Sequence, residues 1–167
     1  MSKYMIKTNK DRCISCKACE VHCKSKNRVP VGAKLGLLVS VGPVAREGEP
    51  AYLNQFMPCF QCEKPWCVAA CPTGAMSRRE KDGIVYVDQE LCVGCKACIM
   101  ACPWEIPQFN EATGTVIKCD FCRDRVDEGL RPACVTACTS HALTFLEPNM
   151  DSAEVRKAYA LEKFLTR

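Results

Sequence analysis

CVGCKACIMACP, residues 92–103, places four thiols within eleven residues and then meets a proline. The same spelling, C-x-x-C-x-x-C-x-x-x-C, occurs earlier as CISCKACEVHC, residues 13–23. Working outward from these two runs, all 16 cysteines of the 167-residue chain fall into four sets of four. The first is Cys13, Cys16, Cys19 and Cys23, and the third is Cys92, Cys95, Cys98 and Cys102. The second, Cys59, Cys62, Cys67 and Cys71, widens the middle gap to four residues. The fourth, Cys119, Cys122, Cys134 and Cys138, widens it to eleven. An internal repeat of this kind organises the whole chain.

Thiols spaced this closely curl the backbone so that three sulfurs reach three corners of one iron–sulfur cube. The fourth cysteine, three residues further on, points elsewhere, and in two-cluster ferredoxins it ligates the other cluster. Cys92, Cys95 and Cys98 are therefore expected to hold one cube while Cys102 reaches across to a second. Pro72 and Pro103 follow Cys71 and Cys102, fixing φ and turning the backbone away after its last ligand. Zinc ribbons use two well-separated C-x-x-C pairs around one ion, which these dense runs do not resemble. A disulfide scaffold would need an oxidising compartment, and MSKYMIKTNK carries no apolar signal run. The longest apolar stretch, LGLLVSVGPV, is too short to cross a bilayer, and Arg78-Arg79 lies too far inside to open a twin-arginine leader. The expected location is the cytoplasm, with export alongside a signal-bearing partner left open.

The formal charge of +4 counts every cysteine as neutral. With sixteen thiolates around four cores of roughly +2, the net charge becomes about −4. Lys17, Lys24, Lys64, Lys96, Lys118, Arg123 and Arg125 then read as compensation for thiolate charge. No basic stripe is interleaved with aromatics, so nucleic acid is not an expected partner.

Between the runs, GAMSRREKDGIVYVD reads as a hairpin turning at Lys81-Asp82-Gly83, and QFNEATGTVIK as another turning at Thr113-Gly114. YMIKT, LGLLVSV and HALTFLE read as further short strands. Between third and fourth cysteines there is room for single helical turns. After Pro148 a helix of about four turns is expected, with Asp151 and Glu154 as a capping box and Val155, Ala158, Leu161 and Leu165 as an apolar stripe.

The segments MPCFQCEKPWCVAACPTGAM, VDQELCVGCKACIMACPWEIPQFN and KCDFCRDRVDEGLRPACVTAC resemble the second, third and fourth motifs of a known family. These are the four-cluster ferredoxin subunits of molybdenum- and tungsten-pterin oxidoreductases, of the dimethyl sulfoxide reductase, formate dehydrogenase, polysulfide reductase and aldehyde oxidoreductase types. The resemblance spans roughly residues 10–147 and implies four [4Fe-4S] clusters in a nested pairing. Cys59, Cys62, Cys67 and Cys102 would hold one cube, and Cys92, Cys95, Cys98 and Cys71 the next. Cys13, Cys16, Cys19 and Cys138 would hold a third, and Cys119, Cys122, Cys134 and Cys23 the fourth. Spacing alone also allows sequential pairing. The implied fold is α+β and ferredoxin-like: two nested dicluster modules with short helices and β-hairpins, plus a C-terminal helix. Residues 1–50 with 115–148 would form the outer module, 51–114 the inner one, and 149–167 a helix for packing or partner docking. Two departures stand out: Thr-Ser-His follows Cys138 where the family often has Pro-Thr, and the tail is short for engaging a membrane subunit.

His22 and His141 are expected to be solvated or outside the ligand sets, because those sets are complete in sulfur. Trp66 and Trp104 are expected to pack as rings that keep water from a cluster, and Ser77-Arg78-Arg79 and Lys24-Ser25-Lys26 to be solvated faces. A cube held by four cysteines has no open site for substrate, so one-electron transfer is the expected function and no catalytic residue is expected. No glycine-rich nucleotide loop or nucleophile–base set contradicts this. The implied partners are a molybdenum- or tungsten-pterin catalytic subunit and a second redox subunit, flavin or other, or further copies of the protein. A free polyferredoxin carrier and a self-stacking conducting subunit are the competing readings.

Overall fold

The computed structural model describes residues 2–46 and 48–165. Among the described residues eight strands and six helices follow one another: β1 (Met5–Thr8), α1 (Ala18–Asn27), β2 (Leu37–Arg46), β3 (Glu49–Met57), α2 (Trp66–Ala69), β4 (Met76–Arg78), β5 (Val85–Val87), α3 (Ala97–Ala101), β6 (Gln108–Asn110), β7 (Thr115–Ile117), α4 (Arg123–Asp127), α5 (Ala133–Thr136), β8 (Leu143–Leu146) and α6 (Pro148–Leu165). The strands form four separate antiparallel pairs, β1–β8, β2–β3, β4–β5 and β6–β7. This is the small α+β, ferredoxin-like architecture that the sequence implies.

Both expected hairpins form. Met76 pairs with Val87 and Arg78 with Val85, around a turn in which Gly83 takes φ 73°. Gln108 pairs with Ile117 and Asn110 with Thr115, and Gly114 supplies the left-handed residue at φ 68°. Ile84, Val85 and Val87 face inward and are almost fully buried.

The pair β1–β8 joins distant parts of the sequence, setting Met5 opposite Leu146 and Thr8 opposite Leu143. Beside it α1 packs on α5, so the first and last cysteine runs lie together, while α2 packs on α3 and β4. One apolar core gathers Cys19, Leu38, Phe56, Cys134, Val135, Cys138 and Leu143. A second gathers Met76, Val85, Val87, Cys98 and Val116, with Cys67, Cys71 and Cys92 at its edge. Burying a ring such as Phe56 stabilises the fold by about 2–3 kcal/mol. β2 and β3 are one long hairpin across the expected division at residues 50 and 51, and its Leu38 and Phe56 both enter the first core.

Two elements differ from expectation. β3 is a strand that the pattern hid, because Gly48 and Pro50 read as punctuation while both lie at or near the hairpin tip. α1 is ten residues long rather than one turn. No proline follows Cys23, so the helix continues through Lys24, Ser25 and Lys26 until Arg28 turns left-handed. Glu20, buried on α1, accepts the Leu38 N–H at 2.6 Å and pairs with Lys34 at 2.9 Å, fastening the helix to β2.

α6 runs for 18 residues, about one turn more than expected. The side chains of Asp151, Glu154, Val155, Ala158 and Leu165 lie outside the described residues, as do the capping box and most of the stripe built on them. The described side chains from Ser152 to Phe164 are all exposed.

Candidate metal centres

The four C-x-x-C turns share one backbone feature. The residue before the second cysteine is left-handed in each: Ser15 at φ 56°, Gln61 at 49°, Gly94 at 67° and Phe121 at 57°. Only one of the four is glycine, so the other three turns store about 1–2 kcal/mol of strain each. A left-handed residue there reverses the backbone from one sulfur to the next, and surrounding packing holds it. Gln61 is fully buried and Phe121 nearly so, with its ring edge-on to Phe145 at 5.8 Å. Asn54 donates to the Cys13 carbonyl at 3.3 Å and accepts from Ser40 at 2.7 Å, bracing the first turn from the β2–β3 hairpin.

All sixteen cysteines are free thiols. One cavity is lined by Cys71, Cys92, Cys95 and Cys98, with Gly94 and Val116 among its apolar walls. Cys13 packs against the core that holds Cys19 and Cys138, and several of the remaining thiols reveal their neighbours through mutual charge. Burial raises the Cys62 and Cys67 thiols, and Cys59 and Cys102 add to the effect on both. Burial pushes Cys19 up to about 11, with Cys138 a further charge nearby. Burial takes Cys23 to about 11 as well, with Cys122 contributing. Cys119 and Cys134 rise by burial, and Cys23 bears on both. Three more neighbour relations cross between these groups: Cys134 with Cys19, Cys119 with Cys59, and Cys98 with Cys67.

Donors oppose that burial. α1, α2 and α5 begin without side-chain caps, and the first-turn N–H groups of Glu20, Val68 and Val135 donate to the Lys17, Pro65 and Pro132 carbonyls at 3.0 Å. The same N–H groups also bear on Cys19, Cys67 and Cys134 and offset part of the rise that burial causes. Met76 donates its N–H to Cys71 at 3.4 Å, Val116 to Cys92 at 3.4 Å and Ala142 to Cys138 at 3.2 Å. At Cys71 burial acts to raise the thiol, but the Met76 N–H and the Thr73 hydroxyl, 3.7 Å away, outweigh it and hold it low.

These residues fit a four-iron cube better than a single ion. Among the described residues no group of three or more His, Cys, Asp or Glu closes on one metal ion. A zinc about 2.3 Å from each sulfur would need its ligands within about 4 Å of one another. A cube spreads its irons over separate corners and takes its thiolates further apart, within an apolar shell that supplies N–H donors.

Other expected features are corrected by the structure. Trp66 is 61% and Trp104 56% exposed, so neither ring seals a centre; Trp104 instead meets Phe60 at 5.0 Å. Arg79 is not a solvated residue. It binds Asp82 through two nitrogens and reaches Asp127 on α4 at 2.7 Å, where Lys81 also docks. Lys24 donates to the carbonyls of Pro30 and Ala33, each at 2.8 Å, and Lys26 pairs with Asp124. Spacing gave no signal for the links to Asp124 and Asp127, because those partners lie 46 to 98 residues away along the sequence. His22 and His141 are exposed. Among the described residues no helix is long and apolar enough to cross a membrane.

Comparison with known proteins agrees with the sulfur geometry. The 4Fe-4S dicluster domain family matches residues 52–147, and a 4Fe-4S binding domain matches residues 10–27. The protein is 40% identical over 151 residues to the B subunit of the anaerobic dimethyl sulfoxide reductase of Escherichia coli (strain K12), covering 86% of this sequence and 73% of that one. It is 40% identical over 161 residues to a thiosulfate reductase electron transfer subunit of Salmonella typhi, covering 93% and 81%. Identity to the B subunit of the polysulfide reductase of Wolinella succinogenes is 38% over 160 residues, covering 95% and 83%.

Proposed function

Since this protein belongs to the 4Fe-4S dicluster family, we propose that it is the electron-relay subunit of a pterin-dependent oxidoreductase, with catalysis in another subunit. Four [4Fe-4S] clusters supply one-electron redox chemistry when bound, and the protein holds, spaces and tunes them. The proposed ligand sets are Cys13, Cys16, Cys19 and Cys138; Cys119, Cys122, Cys134 and Cys23; Cys59, Cys62, Cys67 and Cys102; and Cys92, Cys95, Cys98 and Cys71. The first two sets belong to the outer module and the last two to the inner one.

One observation carries the relay. The neighbour pairs Cys19 with Cys134, Cys119 with Cys59 and Cys67 with Cys98 link the four sets into a single series. Cys16 and Cys95, one in each end set, are exposed, as is Cys62 in a middle set. An electron can therefore enter at one end of the series and leave at the other. N–H groups from Met76, Val116 and Ala142 hold negative charge on sulfur along the way, and Arg79, Lys81 and Asp127 clamp the inner hairpin to the outer α4. The catalytic partner would dock at one exposed end and a second redox subunit at the other, in the cytoplasm.

Anaerobic purification with iron and sulfide counted per polypeptide tests this reading, together with spectra before and after dithionite. About sixteen irons and a catalytic subunit that co-purifies are the expected result. A colourless, zinc-loaded protein that ignores reductant would end it. Iron-replete protein recovered only as a free monomer would favour a diffusing polyferredoxin instead.

A further inference from the structure

Lys118 is a cation that the relay does not use and the fold does not expose. It retains only 7% of its accessible surface. Its Nζ donates to the Val85 carbonyl at 2.5 Å and to the Cys119 carbonyl at 2.7 Å. Gln61, fully buried, donates to the same Cys119 carbonyl at 3.0 Å and accepts the Val85 N–H at 2.7 Å. Two polar side chains thus tie together the second cysteine turn, β5 and the entry to the fourth cysteine run. That is the place where the inner and outer modules meet.

A buried ammonium is costly unless a negative charge answers it. Carbonyl oxygens supply dipoles, not charge, and among the described residues no carboxylate pairs with Lys118. Sulfur lies near it instead. Burial raises the thiols of Cys62, Cys67 and Cys119, which come from two of the proposed ligand sets, and the positive charge of Lys118 works against that rise in all three. Four thiolates around a core of roughly +2 carry about −2, and one more negative charge on reduction.

We infer that Lys118 is a buried counter-cation shared across the module boundary, and that it raises the reduction potential of the centre on each side. The inference rests on the ligand sets proposed above. An ammonium fixed in a low-dielectric site attracts the reduced state more strongly than the oxidised one. Gln61 shares the Cys119 carbonyl with it and keeps the local backbone in place. As one electron crosses, one centre loses it and the other gains it. Only the electron moves, and no bond is made or broken. The two middle centres of the series, one from each module, become its resting place for charge, and the two end centres keep their own potentials.

A redox titration of the purified full-length protein, followed by electron paramagnetic resonance, tests this. In Lys118→Met two of the four one-electron waves are expected to move to lower potential. At a fixed potential their reduced-to-oxidised ratio should drop about tenfold, or about 59 mV. The other two waves should stay, and Lys118→Arg should sit near wild type. Waves that do not move, or four that move equally, overturn the inference. Should Lys118→Met fail to take up iron, Gln61→Glu sets a negative charge beside the intact ammonium and must shift the same two waves downward; unmoved waves there overturn the inference as well. A wild-type protein without iron would instead overturn the relay function itself.

Discussion

Gly94 and Gly114 face each other across the third cysteine turn, and substituting them separately tests how tightly that turn is packed. Their backbones are nearly alike, at φ 67° and 68°. Alanine at either pays the same left-handed penalty, about 1 kcal/mol. Their surroundings differ. A Cβ on Gly94 would lie 2.1 Å from the Gly114 carbonyl oxygen and 3.3 Å from the Phe109 ring, whereas a Cβ on Gly114 meets nothing within 4 Å. The obstacle at Gly94 is backbone in a tight turn, held by the Gly114 N–H to the Asn110 carbonyl at 2.9 Å. Relief requires a shift of roughly 1 Å, and overpacking of that kind adds about 1–3 kcal/mol. A difference of about 2 kcal/mol between the variants is roughly a 30-fold change in equilibrium. Because Gly94 lines the cavity of Cys71, Cys92, Cys95 and Cys98, the damage should be local. Gly94→Ala should lose roughly a quarter of the iron, one cluster in four, and bleach faster on warming. Gly114→Ala should keep its iron. Equal iron and equal bleaching rates in the two variants would refute the reasoning.

Arg79→Ala should destabilise the loaded protein by about 3 kcal/mol, since it strands the nearly buried Asp82 carboxylate with the Ile84 N–H as its remaining partner; a shorter half-life of the visible absorbance at fixed temperature would show it, and an unchanged half-life would not be compatible with it. Lys81 and then Arg79 hold the Asp127 carboxyl below its ordinary range, so its contribution is complete above about pH 4 and is lost as pH falls through the lower folded-state value. That acid-side loss should shrink in Arg79→Ala, as read from bleaching rates across the acid range. Removal of the metal exposes the opposite sign. Burial pushes Cys19, Cys23 and Cys98 up to about 11, so in the iron-free protein they are neutral at pH 7 and each gives up a proton on ligation. Uptake of iron and sulfide should quicken between about pH 7 and 9 and release protons to a pH-stat; a flat profile would contradict it.

Much of the site was legible because it is local. Two or three residues separate most neighbouring ligands within a run, and that spacing allows few backbone paths other than a left-handed turn followed by a short helix. The β4–β5 and β6–β7 hairpins were legible for the same reason: alternating apolar residues flank a turn that ends in glycine. β3 was not, because Gly48 and Pro50 mark both loops and hairpin tips. The length of α1 was missed because only the absence of a stop after Cys23 encodes it. Trp66 and Trp104 misled in the other direction, since an aromatic beside a ligand is more often buried than these are.

Sequence by itself determined the chemistry: sixteen thiols in four runs imply iron–sulfur cubes and one-electron transfer, because ligand type and local spacing are properties of a short segment. Tertiary structure decided which distant thiols become neighbours, such as Cys138 with Cys19 and Cys102 with Cys62. It also decided that Lys118 is buried while Lys96 stays outside over the Phe109 ring. Two lysines, each one residue from a ligand, read alike along the sequence. They differ once packing of remote segments sets how much water, and how many sulfurs, each one meets.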